Sequence, residues 1–239
     1  MRRFPVGCVT LLLVILAGCT KRSNVNPALS SKVYGAQIVE VSGGKQAAGV
    51  GSKLTDPVVV QVNGADGNAL AGALVSLHGD GLVLTPTEAL SDPSGQVSVS
   101  VQLGSIPGSY QVVADTARSG GGTVAVNISE IALGYQEKLG KEVNDKYCRA
   151  CHDPESTPER VSNLDNLTPP LPHQFTDGNM LNNISDADLI KVIADGGLAL
   201  GKSPQTPAYR STLTQAQIKA VVAYIRAIAD PPYQPPTKH

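Results

Sequence analysis

The chain has 239 residues, a length that suits one or two domains. Its 19 Lys and Arg nearly balance its 20 Asp and Glu, which argues against a nucleic-acid-binding protein because such proteins usually carry a basic surface. Aromatic residues make up only 4% of the chain and tryptophan is absent, so any large core must be built from aliphatic side chains.

Residues 1–18 have the parts of a bacterial export signal. Arg2 and Arg3 precede an apolar run over residues 9–17, which is too short to span a bilayer permanently. An ordinary secretory signal and an N-terminal anchor are the alternative interpretations. The small residues before Cys19 distinguish this segment from both.

The sequence Leu16-Ala17-Gly18-Cys19 resembles the lipobox of bacterial lipoproteins. This resemblance implies that residues 1–18 are removed and that Cys19 becomes a lipidated first residue, which anchors the protein to a membrane on its periplasmic or cell-surface side. Thr20 follows the cysteine where an Asp would favour the inner membrane, so by the same resemblance we expect the outer membrane. Residues 19–33 are polar and predict a flexible tether.

Residues 34–131 show the pattern of a β domain. Every second residue is a valine over 58–62, and valine or leucine alternates with Ser and Gln over 97–103, which is typical of half-buried strands. Turn signals such as Asp66-Gly67 and Pro93-Ser94-Gly95 separate the runs. Several short strands at this spacing predict an all-β sandwich.

The turn-and-strand sequence over residues 63–75 resembles the bacterial immunoglobulin-like domains of the invasin type. Residues 91–97 and Pro107-Gly108-Ser109-Tyr110 resemble later strands of the same family. The resemblance implies a spacer or an adhesive module, and we find no catalytic constellation in this region.

From Ile131 the pattern becomes helical, and it predicts an all-α domain over residues 132–231. The last helix is predicted from Thr214, a suitable N-cap, to Ala229, before Pro231. It carries one apolar stripe, formed by Ile218, Val221, Val222, Ile225 and Ile228. The Pro-rich tail over residues 232–239 is predicted to be extended.

Cys148-Arg149-Ala150-Cys151-His152 is a C-x-x-C-H motif, the attachment signal for haem c. Cysteines three residues apart lie on one face of a helical turn, so both thiols can add to vinyl groups along one porphyrin edge. His152 is then directed to the iron as the proximal ligand.

Three other interpretations of the motif are weaker. A thioredoxin-like redox pair needs a βαβ context, which the pattern lacks, and a zinc site needs two further ligands. A structural disulfide between Cys148 and Cys151 would give His152 no role. The motif therefore predicts one covalent haem c.

Residues 133–229 resemble single-haem class I cytochrome c domains. Gly140 stands where that family often has a small residue in its first helix, and Ala223-Tyr224-Ile225-Arg226 resembles the end of its last helix. Residues 175–178 and 186–197 resemble its middle segment. The resemblance implies an electron carrier rather than an enzyme, with a redox protein as its partner.

The second axial ligand departs from that family. The family usually supplies a methionine from a Met-Pro-Ala segment, whereas this chain has Thr206 before Pro207 and Ala208. Met180, His173 and Lys202 are candidate substitutes, and an open or water-bound iron near Thr206 is the remaining option.

The sequence therefore predicts a multidomain protein: an all-β immunoglobulin-like sandwich followed by an all-α cytochrome c domain. The leading hypothesis is a membrane-anchored electron carrier. A haem-based binder or sensor of small ligands is the alternative, motivated by Thr206. An adhesive surface protein, in which the β domain recognises a partner, is the third hypothesis.

Overall fold

The computed structural model describes residues 32–152 and 171–235. The predicted signal peptide, Cys19, almost all of the predicted tether and the end of the tail therefore lie outside the described residues. Within the described ranges, no helix is long and apolar enough to cross a membrane.

Nine strands build the first part of the described chain. They are β1 (Gln37–Ser42), β2 (Ala47–Gly49), β3 (Val58–Asn63), β4 (Leu74–His78), β5 (Val83–Thr85), β6 (Glu88–Leu90), β7 (Gln96–Gln102), β8 (Gly108–Ala117) and β9 (Thr123–Leu133). One sheet has the order β1-β3-β7-β5 and the other β2-β9-β8-β4-β6. All pairs are antiparallel except β2 with β9, which run parallel.

The alternating valines form the core between the two sheets. Val58, Val60 and Val62 of β3 are fully buried, while the residues between them are half-buried. The side chains of β7 alternate in the same way. The prediction of an all-β sandwich is confirmed, and its core is aliphatic, as the scarcity of aromatic residues required.

Helices build the second part. They are α1 (Tyr135–Tyr147), α2 (Arg149–His152), α3 (Gly178–Leu181), α4 (Asp186–Asp195), a 3-10 helix (Gly197–Leu200) and α5 (Gln215–Ile228). The expectation that the helical pattern begins at Ile131 is wrong. Ile131 and Leu133 belong to β9, which pairs with β2 and β8 up to its last residues, and α1 begins only after Gly134.

Helix α5 has the predicted start and the predicted buried face. Thr214 and Gln217 form a reciprocal capping box, and all five residues of the apolar stripe are buried. Four residues of the stripe, all except Ile228, belong with Leu189 and Ile193 of α4 and Val143 of α1 to a second core.

Helices α1 and α5 cross at Gly140. A Cβ atom at this position would lie 1.9 Å from the carbonyl oxygen of Ala220 and 2.8 Å from Cβ of Tyr224. Only a glycine at position 140 permits this approach of Ala220 and Tyr224 to the backbone of α1. The crossing holds the start of the C-x-x-C-H motif, which follows α1, against the rest of the helical part.

Candidate functional site

A cavity of about 430 Å³ lies in the helical part. The end of α1, helices α2 to α5 and the segment 200–209 all contribute to its wall. Its volume lies in the range of small-molecule and cofactor sites, and aliphatic residues such as Leu189, Ile193 and Ile225 supply much of the lining.

Both cysteines of the motif line this cavity as free thiols. Helix α2 is a single turn in which the amides of Cys151 and His152 donate to the carbonyl of Cys148, at 3.1 and 3.0 Å. Burial, the larger cause, and the neighbouring Cys151 together raise the pKa of the Cys148 thiol to about 11. A redox-active thiol needs a lowered pKa, so this environment argues against a thioredoxin-like pair.

His152 also lines the cavity, and its environment fixes its proton. Its Nδ1 lies 2.6 Å from the carbonyl oxygen of His173. A carbonyl can only accept a hydrogen bond, so Nδ1 carries the proton and Nε2 keeps a free lone pair. Burial lowers the pKa of His152, which keeps the ring neutral at pH 7.

The ring of His152 stacks on Phe175. The ring centroids are 4.2 Å apart and the planes are inclined by 13°. Together, the hydrogen bond from Nδ1 and the stack determine the orientation of the imidazole plane.

These groups fit a haem c. Two thiols lie one helical turn apart, a neutral imidazole with its lone pair on Nε2 follows them, and aliphatic residues supply much of the cavity wall around them. Each is a group that covalent attachment and axial ligation of haem require.

The four residues considered for the second axial position also line the cavity: His173, Met180, Lys202 and Thr206. Met180 is half-buried on α3, where its amide donates to the side chain of Asp177. Thr206 is half-buried, and its carbonyl accepts from the amide of Gly197 at 3.1 Å. Lys202 and His173 are exposed.

Interactions with α5 hold the segment that carries Met180. The guanidinium of Arg226, which is largely buried, donates to the carbonyls of Leu181 and Ile184 and pairs with Asp186. The amide of Gly178 donates to the carbonyl of Asp230 at 3.0 Å. The main chain around Met180 is therefore attached to the end of α5 on both sides of the residue.

Comparison with known proteins agrees with this site. Residues 136–225 match the family described as cytochrome c oxidase, cbb3-type, subunit III. This part of the chain carries a cytochrome c-type domain. The matched segment covers less than half of the chain and includes the motif, the cavity and most of α5.

Solved structures are similar to the β sandwich. The D00-D0 domain of intimin is 23% identical, with 45% of this chain and 51% of that chain covered and a TM-score of 0.32. Domains 4 and 5 of the S-layer protein SbsC are 18% identical over 43% of this chain and 54% of that chain, also with a TM-score of 0.32. The adhesin InvE of Yersinia pseudotuberculosis is 12% identical over 41% of this chain and 32% of that chain, with a TM-score of 0.31.

The chain thus spans about half of the length of the intimin and SbsC structures. The β sandwich is assigned from the strand pairing within this chain and not from its similarity to these structures. No curated protein matches the chain.

Sequence reasoning missed two contributions to the cytochrome domain. It considered His173 only for its side chain, whereas the structure uses the His173 carbonyl, and it gave Phe175 no contact with His152. Both residues lie more than twenty positions beyond the motif, and no periodicity in the sequence connects them to it.

Proposed function

We propose that this protein is a membrane-anchored c-type cytochrome that carries single electrons through one haem c. Cys148 and Cys151 hold the haem as thioethers, and His152 is the proximal ligand. One observation carries the proposal: the cavity brings both thiols together with a neutral imidazole whose Nε2 carries the lone pair. When bound, haem supplies a one-electron iron couple.

The chain's own residues would then bind the haem, orient the imidazole of His152 and shield the iron from water. The carbonyl of His173 holds the proton on Nδ1 of His152, which strengthens Nε2 as a donor. The aliphatic wall keeps water away from the iron and favours a small reorganisation on electron exchange. The proposed role is that of a carrier rather than an enzyme, with a redox protein as its partner.

The test of attachment uses the full-length chain in cells that mature c-type cytochromes. We expect wild-type protein to retain haem on a denaturing gel, and the double substitution of Cys148 and Cys151 by Ser to abolish that signal. Met180→Leu is the matched control, because it alters the cavity wall without removing an attachment group. Equal haem retention in the double variant would refute the assignment.

The anchor belongs to the same proposal and rests on the sequence alone. Lipid on Cys19 would hold the mature chain on the periplasmic or cell-surface side of a membrane, with the outer membrane favoured by Thr20.

Binding of small ligands at the iron is the second candidate function. Thr206 lines the cavity where the cytochrome family usually has its methionine. The main-chain carbonyl of His173 already bonds to Nδ1 of His152, the residue that would be the proximal ligand. This geometry disfavours His173 and leaves Met180, Lys202 or an open position.

Carbon monoxide binding by the ferrous full-length protein distinguishes these options. An open position predicts rapid and complete binding. If Met180 is the ligand, wild-type protein binds slowly and Met180→Leu binds fast. Failure of both proteins to bind carbon monoxide would exclude this second function.

A further inference from the structure

A third core joins the β sandwich to the cytochrome domain. It is centred on Leu133 of β9 and on Tyr224 and Ile228 of α5, all of which are buried. Four half-buried residues pack against this centre: Ala47, Ile131, Phe175 and Ala227. The core thus takes side chains from β2 and β9 of one domain and from α5 and the 171–178 segment of the other.

Phe175 is shared by two cores. It packs against the core centred on Leu133 and also against the core of the cytochrome domain. Its ring stacks on the imidazole of His152, with centroids 4.2 Å apart. One aromatic side chain therefore lies between the domain junction and the residue to which we assign iron ligation.

Main-chain hydrogen bonds hold Phe175 in this place. On its N-terminal side, the His173 carbonyl is bonded to Nδ1 of His152. On its C-terminal side, Thr176 accepts from the amide of Asp230 at 2.9 Å, and Gly178 donates back to the carbonyl of Asp230 at 3.0 Å. The segment has little freedom to shift, so the position of the Phe175 ring depends on the side chains packed against it.

We propose that the β sandwich is part of the haem site: its β2–β9 edge supports Phe175, which acts as a positioning residue for His152. The stack fixes the plane of the imidazole, and this fixed plane aligns the Nδ1 proton with the His173 carbonyl. Both features tune a metal-bound imidazole, because they set ring orientation and donor strength. The inference rests on the proposed function for the ligation of iron by His152.

The test compares four single variants of the full-length, haem-loaded protein. Phe175→Leu removes the stack, and Phe175→Tyr retains it. Leu133→Val removes one methylene from the junction, and Leu77→Val removes one on β4, where Leu77 belongs to the sandwich core and not to the junction core. The readouts are covalent haem content, the g-values of the ferric protein in electron paramagnetic resonance, and the midpoint potential.

We expect Phe175→Leu to change the g-values and to raise the midpoint potential, because a less well aligned hydrogen bond makes His152 a weaker donor to ferric iron. Leu133→Val should shift both readouts in the same direction by a smaller amount. Phe175→Tyr and Leu77→Val should behave as wild type. If Leu133→Val does not fold, Ile131→Val, on the half-buried flank of the same core, is expected to give the same shift.

If the haem-loaded Phe175→Leu and Leu133→Val variants keep the wild-type g-values and midpoint potential, this inference is wrong and the proposed function is unaffected. Shifts of equal size in Leu77→Val would also overturn it, because they would reflect loss of stability in the sandwich rather than support of Phe175. A wild-type protein without covalent haem would overturn the proposed function, and this inference with it.

Discussion

Glu130 places an ionisable carboxyl group in the interior of the sandwich. It lies in the inward-facing register of β9 and is fully buried. Its Oε2 accepts a hydrogen bond from the amide of Gln46 at 2.8 Å, while Oε1 has no partner among the residues that the structure describes. Burial is the main reason that the pKa of Glu130 is raised to about 8; the hydrogen bond from Gln46 lowers the pKa and nearby Glu40 raises it, and both effects are smaller than that of burial.

This carboxyl makes the stability of the sandwich depend on pH. Because folding raises the pKa of Glu130, its favourable contribution is complete below the ordinary value of 4.5 and is lost as the pH rises through about 8. We predict that the free energy of unfolding of the full-length protein, measured with denaturant, falls between pH 5 and pH 9. Glu130→Gln should flatten this profile, and an unchanged slope in that variant would contradict the assignment.

At the scale of single residues, only part of the site could be predicted from the sequence. The C-x-x-C-H motif is local, so its residue types alone indicated the site. The burial of Glu130 and the contact of Phe175 with His152 depend on strand pairing and on a return of the chain after more than twenty residues. Neither could be predicted from a local pattern, because the residues that surround Glu130 and Phe175 in the fold are distant from them in the sequence.

Among the elements, the crossing of α1 and α5 determines where the motif lies. An alanine at Gly140 would normally favour a helix by about 0.5–1 kcal/mol. Here its Cβ would lie 1.9 Å from a backbone oxygen of α5, so the helices must separate. We predict that Gly140→Ala lowers the free energy of unfolding by about 1–3 kcal/mol, as overpacking does.

Denaturant unfolding of the full-length protein measures this effect. Glu142→Ala, on the exposed face of α1, is the matched control and should stay within about 0.5 kcal/mol of wild type. Stabilisation by Gly140→Ala would mean that the two helices do not approach as closely as described.

Most elements were predictable from the sequence because their signals are local. The alternating valines indicated β3 and β7, and the apolar stripe with its capping residues indicated α5. The parallel pairing of β2 with β9 was not predictable, since β2 has only three residues and lies far from β9 in sequence. The end of β9 was mistaken for helix because Ile131 and Leu133 face a core, as helical residues also do.

The whole molecule combines a sandwich and a cytochrome domain through one shared core. A sandwich serving only as a spacer between membrane and haem would not need to contribute Leu133 and Ile131 to that core. The junction indicates that the two domains behave as one packed unit, and the sequence resemblances, which treat each domain separately, carried no information about it.

The proposed membrane anchor can be tested on the whole chain. We predict that Cys19→Ser moves the protein from the membrane fraction to the soluble fraction while haem content stays at the wild-type level, because lipidation and haem attachment use different cysteines. Fractionation of cells followed by haem staining measures both. A Cys19→Ser protein that stays in the membrane fraction would contradict the lipoprotein assignment.

The central claim is the covalent attachment of one haem at Cys148 and Cys151 with His152 on the iron. The most direct test combines intact mass and the absorption spectrum in alkaline pyridine for the purified full-length protein after unfolding and reduction. We expect the mass of one haem added to each mature chain and the spectrum of a haem whose two vinyl groups are both saturated. An unmodified mass from cells that mature other c-type cytochromes would contradict it.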